Sequence, residues 1–228
     1  HSSRVFGTQS DFEQFEKTGI EEYKLIKLGR NAEAIKLLEK KIFNNNKNPY
    51  LYYLLGRAYG NLKQYEIGED YFKKSLASNS NFPKVYLGYS ILKGRKGQFK
   101  EAVKLLDKAI EIDPKYAKAY SNRGLIYGSL QKIKLALKDF DTAISLDPNF
   151  ENAYVNRGVT KGAMQDWKGA IQDFDKAIQI SPSYSAAWRN RGIVKETIGD
   201  LRGACMDWRS AAILGQQDAR QWTAAQCN

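Results

Sequence analysis

Arginine stands at 123, 157 and 191, and aspartate stands sixteen residues after each, at 139, 173 and 207. Two chemistries suit such a series. A row of guanidinium groups can hold phosphates, whereas an arginine and an aspartate on facing helices form an ion pair, and a charge taken out of water needs its partner beside it. Both residue types are missing together from the corresponding places upstream, which favours the ion pair. A second series, Asn122, Asn156 and Asn190, sits immediately before those arginines. Each carboxamide offers donors and an acceptor, so a row of them can hold the backbone of an extended peptide without demanding a sequence.

Most other chemistry is excluded by what the chain lacks. Its one histidine is His1, which removes histidine acid–base catalysis and histidine-ligated metal. Two cysteines are too few for a thiolate zinc site. No nucleophile motif, phosphate-binding glycine loop or metal-ligand spacing occurs, so no enzymatic activity, cofactor or metal is expected. No apolar run approaches the length of a spanning helix. A net charge of +11 and fourteen tyrosines that could stack on bases make nucleic acid the rival partner class. The lysines are spread along the chain, however, apart from Lys93, Arg95, Lys96 and Lys100, and dispersed charge gives weak, salt-sensitive adhesion.

The elements that must position these residues follow a period of 34. Pro114, Pro148 and Pro182 keep it, as do Gly124, Gly158 and Gly192, then Ala136, Ala170 and Ala204, then Phe140, Phe174 and Trp208, then Ala143, Ala177 and Ala211. Projected backwards, the frame meets Ala102 and Ala109, then Tyr52, Leu55, Gly56, Tyr59 and Phe72, then Ala34 and Leu38. The pattern resembles the tetratricopeptide repeat (TPR) family, whose unit runs W-x2-L-G-x2-Y, then A-x3-F, then P. The Asn-Arg-Gly copies are similar to the NRG-type repeats of bacterial and plastid members.

The resemblance implies an all-α, right-handed superhelical solenoid of stacked antiparallel helix pairs, with a concave groove lined by the first helix of each pair. Six units follow, at 15–48, 49–82, 83–116, 117–150, 151–184 and 185–218. Residues 1–14 are left as an N-terminal extension or cap, and 219–228 as a capping helix. Each hairpin is too small to bury its own apolar face, so stacking makes the core. Small residues such as Gly124 and Ala136 let paired helices approach, and the prolines stop each second helix. The first unit matches least well, with Glu21-Glu22 in place of Leu-Gly; the third has Tyr89-Ser90.

Counted from the start of each unit, the sixth residue lies on the family's concave face, and the second, fifth and ninth share that helical face. The candidate groove therefore contains Asn122, Asn156 and Asn190 with Tyr53, Arg57, Lys84, Lys118, Asn152 and Arg189. Alternatively, the asparagines only satisfy backbone groups of the neighbouring hairpin. Some family members grip a terminal carboxylate with an asparagine at the ninth position. Here that position is Tyr23, Arg57, Ile91, Leu125, Val159 and Ile193, so a different partner is expected.

Cys205 and Cys227 fall on either side of Gly215, a natural helix stop, so antiparallel helices turning there bring the thiols opposite one another. A disulfide would close a loop of about 23 residues and contribute about 3 kcal/mol. It would also point to an oxidising compartment, periplasmic or luminal, consistent with a chain whose first residue, His1, reads as a processed end or else as a scar of expression. The other reading is two unrelated thiols. The expected function is a non-enzymatic scaffold that binds an extended peptide or partner surface in its groove and supports complex assembly. Nucleic-acid binding is the alternative, and self-association through the ends of the stack stays open.

Overall fold

Residues 9–44 and 48–227 are described in the structure, a computed structural model. Helix α1 (Gln9–Glu16) runs through a 3-10 turn (Lys17–Gly19) into α2 (Ile20–Lys27), which pairs with α3 (Asn31–Phe43). Five further hairpins follow: α4 (Pro49–Asn61) with α5 (Tyr65–Ser78), α6 (Pro83–Arg95) with α7 (Phe99–Ile112), α8 (Ala117–Ser129) with α9 (Ile133–Leu146), α10 (Glu151–Ala163) with α11 (Trp167–Ile180), and α12 (Ser185–Thr197) with α13 (Leu201–Ile213). Helix α14 (Gln217–Gln226) ends the described chain. No strand occurs among the described residues.

Turn chemistry sets the boundaries. Within hairpins the chain reverses through a left-handed residue, a glycine at Gly29, Gly97 and Gly199 but a side-chain-bearing residue at Lys63, Gln131 and Gln165. Between hairpins, Asp113 and Asp147 accept from the amides of Lys115 and Asn149 across Pro114 and Pro148, forming Asx-type turns.

The chain divides into two compact units, residues 1–122 and 123–228, with the boundary inside α8. The first is packed around Leu38, Leu51, Leu54, Leu55, Phe72 and Leu92; the second around Phe174, Val194 and Trp208 with buried alanines. Glycine and aromatic positions are coupled inside the hairpins. A Cβ built on Gly56 would lie 2.9 Å from the Phe72 ring, on Gly124 2.7 Å from Phe140, on Gly158 2.7 Å from Phe174, and on Gly192 2.5 Å from Trp208. These rings therefore lie directly against helix backbone, closer than any side chain allows. Where the glycine is replaced by Glu22 or Ser90, the facing residue is the smaller Leu38 or Leu106. Glu22 is buried, and Lys41 Nζ stands 2.6 Å from its carboxylate. Lys41 itself occupies the place of the buried Ala109, Ala143, Ala177 and Ala211, so the two departures from the pattern neutralise one another.

Most of the expected extension, residues 1–8, lies outside the described residues. Its remainder, 9–14, is helical, and the same helix α1 carries Phe15 of the expected first unit, which meets Phe82 edge-on at 6.3 Å and accepts from Asn48 Nδ2 at its carbonyl over 3.2 Å. At the other end, Gly215 turns the chain with φ of 101° into α14. The sulfurs of Cys205 and Cys227 stand at bonding distance, 2.01 Å, with the Cα atoms 5.6 Å apart. Trp222 of α14 packs on Trp208 with ring centroids 5.3 Å apart.

Candidate partner-binding surface

The arginine series forms ion pairs. Arg123 reaches Asp139 through Nε (2.8 Å) and Nη2 (2.9 Å), Arg157 reaches Asp173 (3.0 and 2.7 Å), and Arg191 reaches Asp207 (2.8 and 2.7 Å). All three aspartates are buried. Two arginines also reach back one hairpin, Arg157 to Asp141 (2.8 Å) and Arg191 to Asp175 (2.7 Å). Lys161 and Lys195 supply second cations to Asp173 and Asp207. The hydrogen bonds from Arg157 to Asp173 hold the guanidinium pKa well above its ordinary value. These groups are fully engaged, so a phosphate ladder is not what they make.

The asparagine row has internal partners, on its own helices for Asn122 and Asn190 and not on the neighbouring hairpin. Asn122 donates to the Lys118 carbonyl (2.8 Å) and Asn190 to the Ala186 carbonyl (2.8 Å), each one turn back on its own helix. Asn156 donates to Asn152 Oδ1 (2.9 Å), and Asn152 in turn donates to the Tyr184 hydroxyl (2.7 Å). Short carboxamides on a helix reach the carbonyl four residues back, a local option that spacing alone did not reveal. Several other groove candidates are likewise spoken for. Lys84 is held by Glu16 of α1, and Arg189 pairs with Asp218 of α14 at 2.6 Å while lying over the Trp222 ring at 5.2 Å. Tyr53 is buried, its hydroxyl accepting from Arg57 Nη1 at 3.3 Å. Lys118 is exposed.

What stays open on the first helices is apolar. At the ninth position of successive units, Ile91, Leu125 and Val159 are all exposed. Arg57 holds that position one unit earlier, its guanidinium 5.6 Å from the Tyr23 ring and 5.7 Å from that of Tyr53. A cavity of about 70 Å³ lies between α4 and α6, lined by Arg57, Gly60, Asn61, Ile91 and Arg95 among others. Arg95 closes α6 beside Lys93 and Lys96, at a basic turn. That turn is largely neutralised, since Lys93 Nζ is 2.6 Å from Glu69 and Lys96 is within 3.2 Å of both Glu66 and Glu69. Burial works to raise the Glu69 pKa, but the hydrogen bonds from Lys93, Tyr89 and Lys96 outweigh it and bring the value down to about 2.

Among the described residues no group of histidines, cysteines or carboxylates is arranged to hold a metal ion, and no helix is long and apolar enough to cross a membrane.

Stacked helical hairpins with internal glycine–aromatic wedges, and open positions repeating on the first helices, define a helical repeat protein of the solenoid class. Family models for tetratricopeptide repeats match residues 49–82, 117–150 and 151–184, and a further TPR model matches 95–131, together more than half of the chain. The chain belongs to the tetratricopeptide repeat family. Among solved structures it is similar to PilF of Pseudomonas aeruginosa, with TM-score 0.72 and 16% identity over 93% of this chain and 98% of that one. It is also similar to MamA, with TM-score 0.59 and 22% identity over 73% of this chain and 97% of that one. YrrB, described as a TPR protein with an unusual peptide-binding site, aligns with TM-score 0.55 and 18% identity over 82% of this chain and 97% of that one. At these identities the likeness is one of fold. A search of curated proteins returns no match.

Proposed function

We propose that this chain is a non-enzymatic interaction scaffold that holds an extended peptide segment against its first helices and so brings proteins together. The observation that carries the reading is the ninth-position row. Within the second compact unit Leu125 and Val159 are exposed at the repeat spacing, whereas neighbouring apolar positions, such as Val155 and Val194, are buried. A lone exposed apolar residue needs no explanation, but a row kept at the repeat period on the helices that carry the polar groups suits a bound chain. The nucleic-acid alternative loses support because two of the four clustered cations, Lys93 and Lys96, already face glutamates.

Selection of a random displayed peptide library tests the proposal. The wild-type chain should enrich peptides whose binding falls at least tenfold in the variant L125D/V159D, with helicity and melting unchanged. Equal binding by the variant would move the site off the first helices. The cysteine pair supports an oxidising compartment for this work, and a free thiol in the denatured, unreduced chain would remove that support.

A further inference from the structure

The arginines on the first helices of the hairpins fall into two kinds. Arg123, Arg157, Arg189 and Arg191 each face at least one carboxylate. Arg57 and Arg95, which share one small cavity, face none among the described residues and are held entirely by neutral groups. Arg57 is fixed by the Tyr53 hydroxyl and by the Tyr23 and Tyr53 rings. Arg95 donates to Asn61 Oδ1 at 3.0 Å, Asn61 donates to Asn31 at 3.0 Å, and Asn31 donates to the Gly29 carbonyl at 3.1 Å, a relay of amides that ends on backbone. Two guanidiniums are thus oriented in advance with their charge uncompensated, which is how a protein prepares to receive an anion. Ile91, exposed on the same cavity, sets an apolar contact beside them.

Resting on the peptide-groove reading above, we propose that Arg57 and Arg95 read an acidic side chain, aspartate or glutamate, within an extended partner segment, and that Ile91 takes an apolar residue of that segment. Charge complementarity selects the anion, because both cations lack an internal carboxylate. An internal side chain is the carboxylate that an extended segment running past the pair presents, with its backbone continuing on either side. Planar guanidinium groups match a carboxylate with paired hydrogen bonds, so the contact is specific as well as attractive.

The test uses the full chain and a library of random dodecapeptides displayed with no free C-terminus. Wild type should enrich an aspartate or glutamate at one fixed register. In the selected peptide, synthesised with an amidated end, changing that residue to its amide should weaken binding about tenfold, equivalent to about 1.4 kcal/mol. Against R57Q/R95Q the same change should matter less than twofold. Because Arg57 is partly buried, R95Q alone serves as the second variant; Arg95 is exposed, so the fold is kept and the sensitivity should fall in part. Enriched peptides without a fixed acid, or an acid felt equally by R57Q/R95Q, would overturn the proposal and leave the groove reading standing. Enrichment only from a library with free C-termini would overturn the choice of an internal side chain. Binding of oligouridylate that is lost in R57Q/R95Q would assign the pair to phosphate and overturn it as well. Failure to enrich any peptide would overturn both readings.

Discussion

Gly158 and Phe174 should behave as a single residue in stability measurements. A Cβ at 158 would stand 2.7 Å from Phe174 Cε1 and 3.1 Å from Cδ1 and Cζ, about 1 Å inside comfortable carbon–carbon contact. Helix propensity alone favours alanine over glycine at an interior helical site by about 1 kcal/mol. Overpacking against a ring that cannot retreat costs about 3 kcal/mol. G158A should therefore destabilise the protein by about 2 kcal/mol. In an F174L background the ring is gone and only the propensity term remains, so the same change should stabilise by about 1 kcal/mol. The coupling is about 3 kcal/mol, of opposite sign to the propensity effect. Urea unfolding followed by tryptophan fluorescence suits the test, because Trp167, Trp188, Trp208 and Trp222 all lie in the unit that contains the pair. Repeat arrays can unfold in steps, so the comparison needs matched slopes as well as midpoints across the four proteins. If G158A costs the same in both backgrounds to within about 0.5 kcal/mol, the ring does not rest on the helix backbone and the account of the hairpin is wrong.

Removing the acceptor shared by Arg157 and Lys161 with D173N should lower stability by about 3 kcal/mol, because two cations then face a neutral group in a buried place. The joint replacement R157L/D173L should stay within about 1 kcal/mol of wild type, since the second hairpin already carries Leu55 and Tyr71 there; the same urea titrations decide both. Glu69 titrates near 2 when folded against an ordinary value of 4.5, so its contribution is present above pH 4.5 and is lost as pH falls towards 2. Urea midpoints measured from pH 6 to pH 2.5 should therefore fall more steeply in wild type than in E69Q. Denatured, unreduced protein should show no reactive thiol, and C205A/C227A should lose about 3 kcal/mol at the C-terminal end, seen as a red shift of Trp222 emission before global unfolding.

The period of 34 made the hairpins legible because each small residue in it answers one packing demand. Gly124 and Ala136 are explained by helix approach, and the bidentate contact between Arg123 and Asp139 by their joint occurrence. The same logic did not reach the groove. For Asn122 and Asn190 the sequence left binding and backbone satisfaction by the neighbouring hairpin both open, and their partners are carbonyls of their own helices, which every sequence supplies. Lys84 and Arg189 were assigned to the groove from position alone, while their acids, Glu16 and Asp218, stand on α1 and α14, helices added at either end of the hairpins, although the unit bounds put both acids just inside the first and last units. Interactions between a repeat and a non-repeating end leave no trace in periodicity. Arg95 was missed for the reverse reason: adjacent Lys93 and Lys96 made it look like part of a basic turn, and only the glutamates of α5 separate its fate from theirs.

Whether an arginine on the first helices serves structure or binding therefore depends on an accounting that sequence begins and geometry completes. An arginine sixteen residues before an aspartate is consumed by it, because two charges withdrawn from water stay only as a pair. An arginine whose ligands are phenol and carboxamide keeps its full charge, and neutral supports add direction without neutralising it. Arg191 and Arg57 sit at neighbouring places in the repeat, the seventh and ninth, and are both partly buried. The difference is that Asp207 and Asp175 stand against Arg191, whereas the phenols of Tyr53 and Tyr23 stand against Arg57. If the accounting is sound, exchanging the supports should exchange the roles. Placing a carboxylate beside Arg57, as in Y53E, should abolish selection of an acidic peptide residue even though both arginines remain. Continued selection of that residue by a folded Y53E chain would show that charge compensation is not what divides the two kinds of arginine.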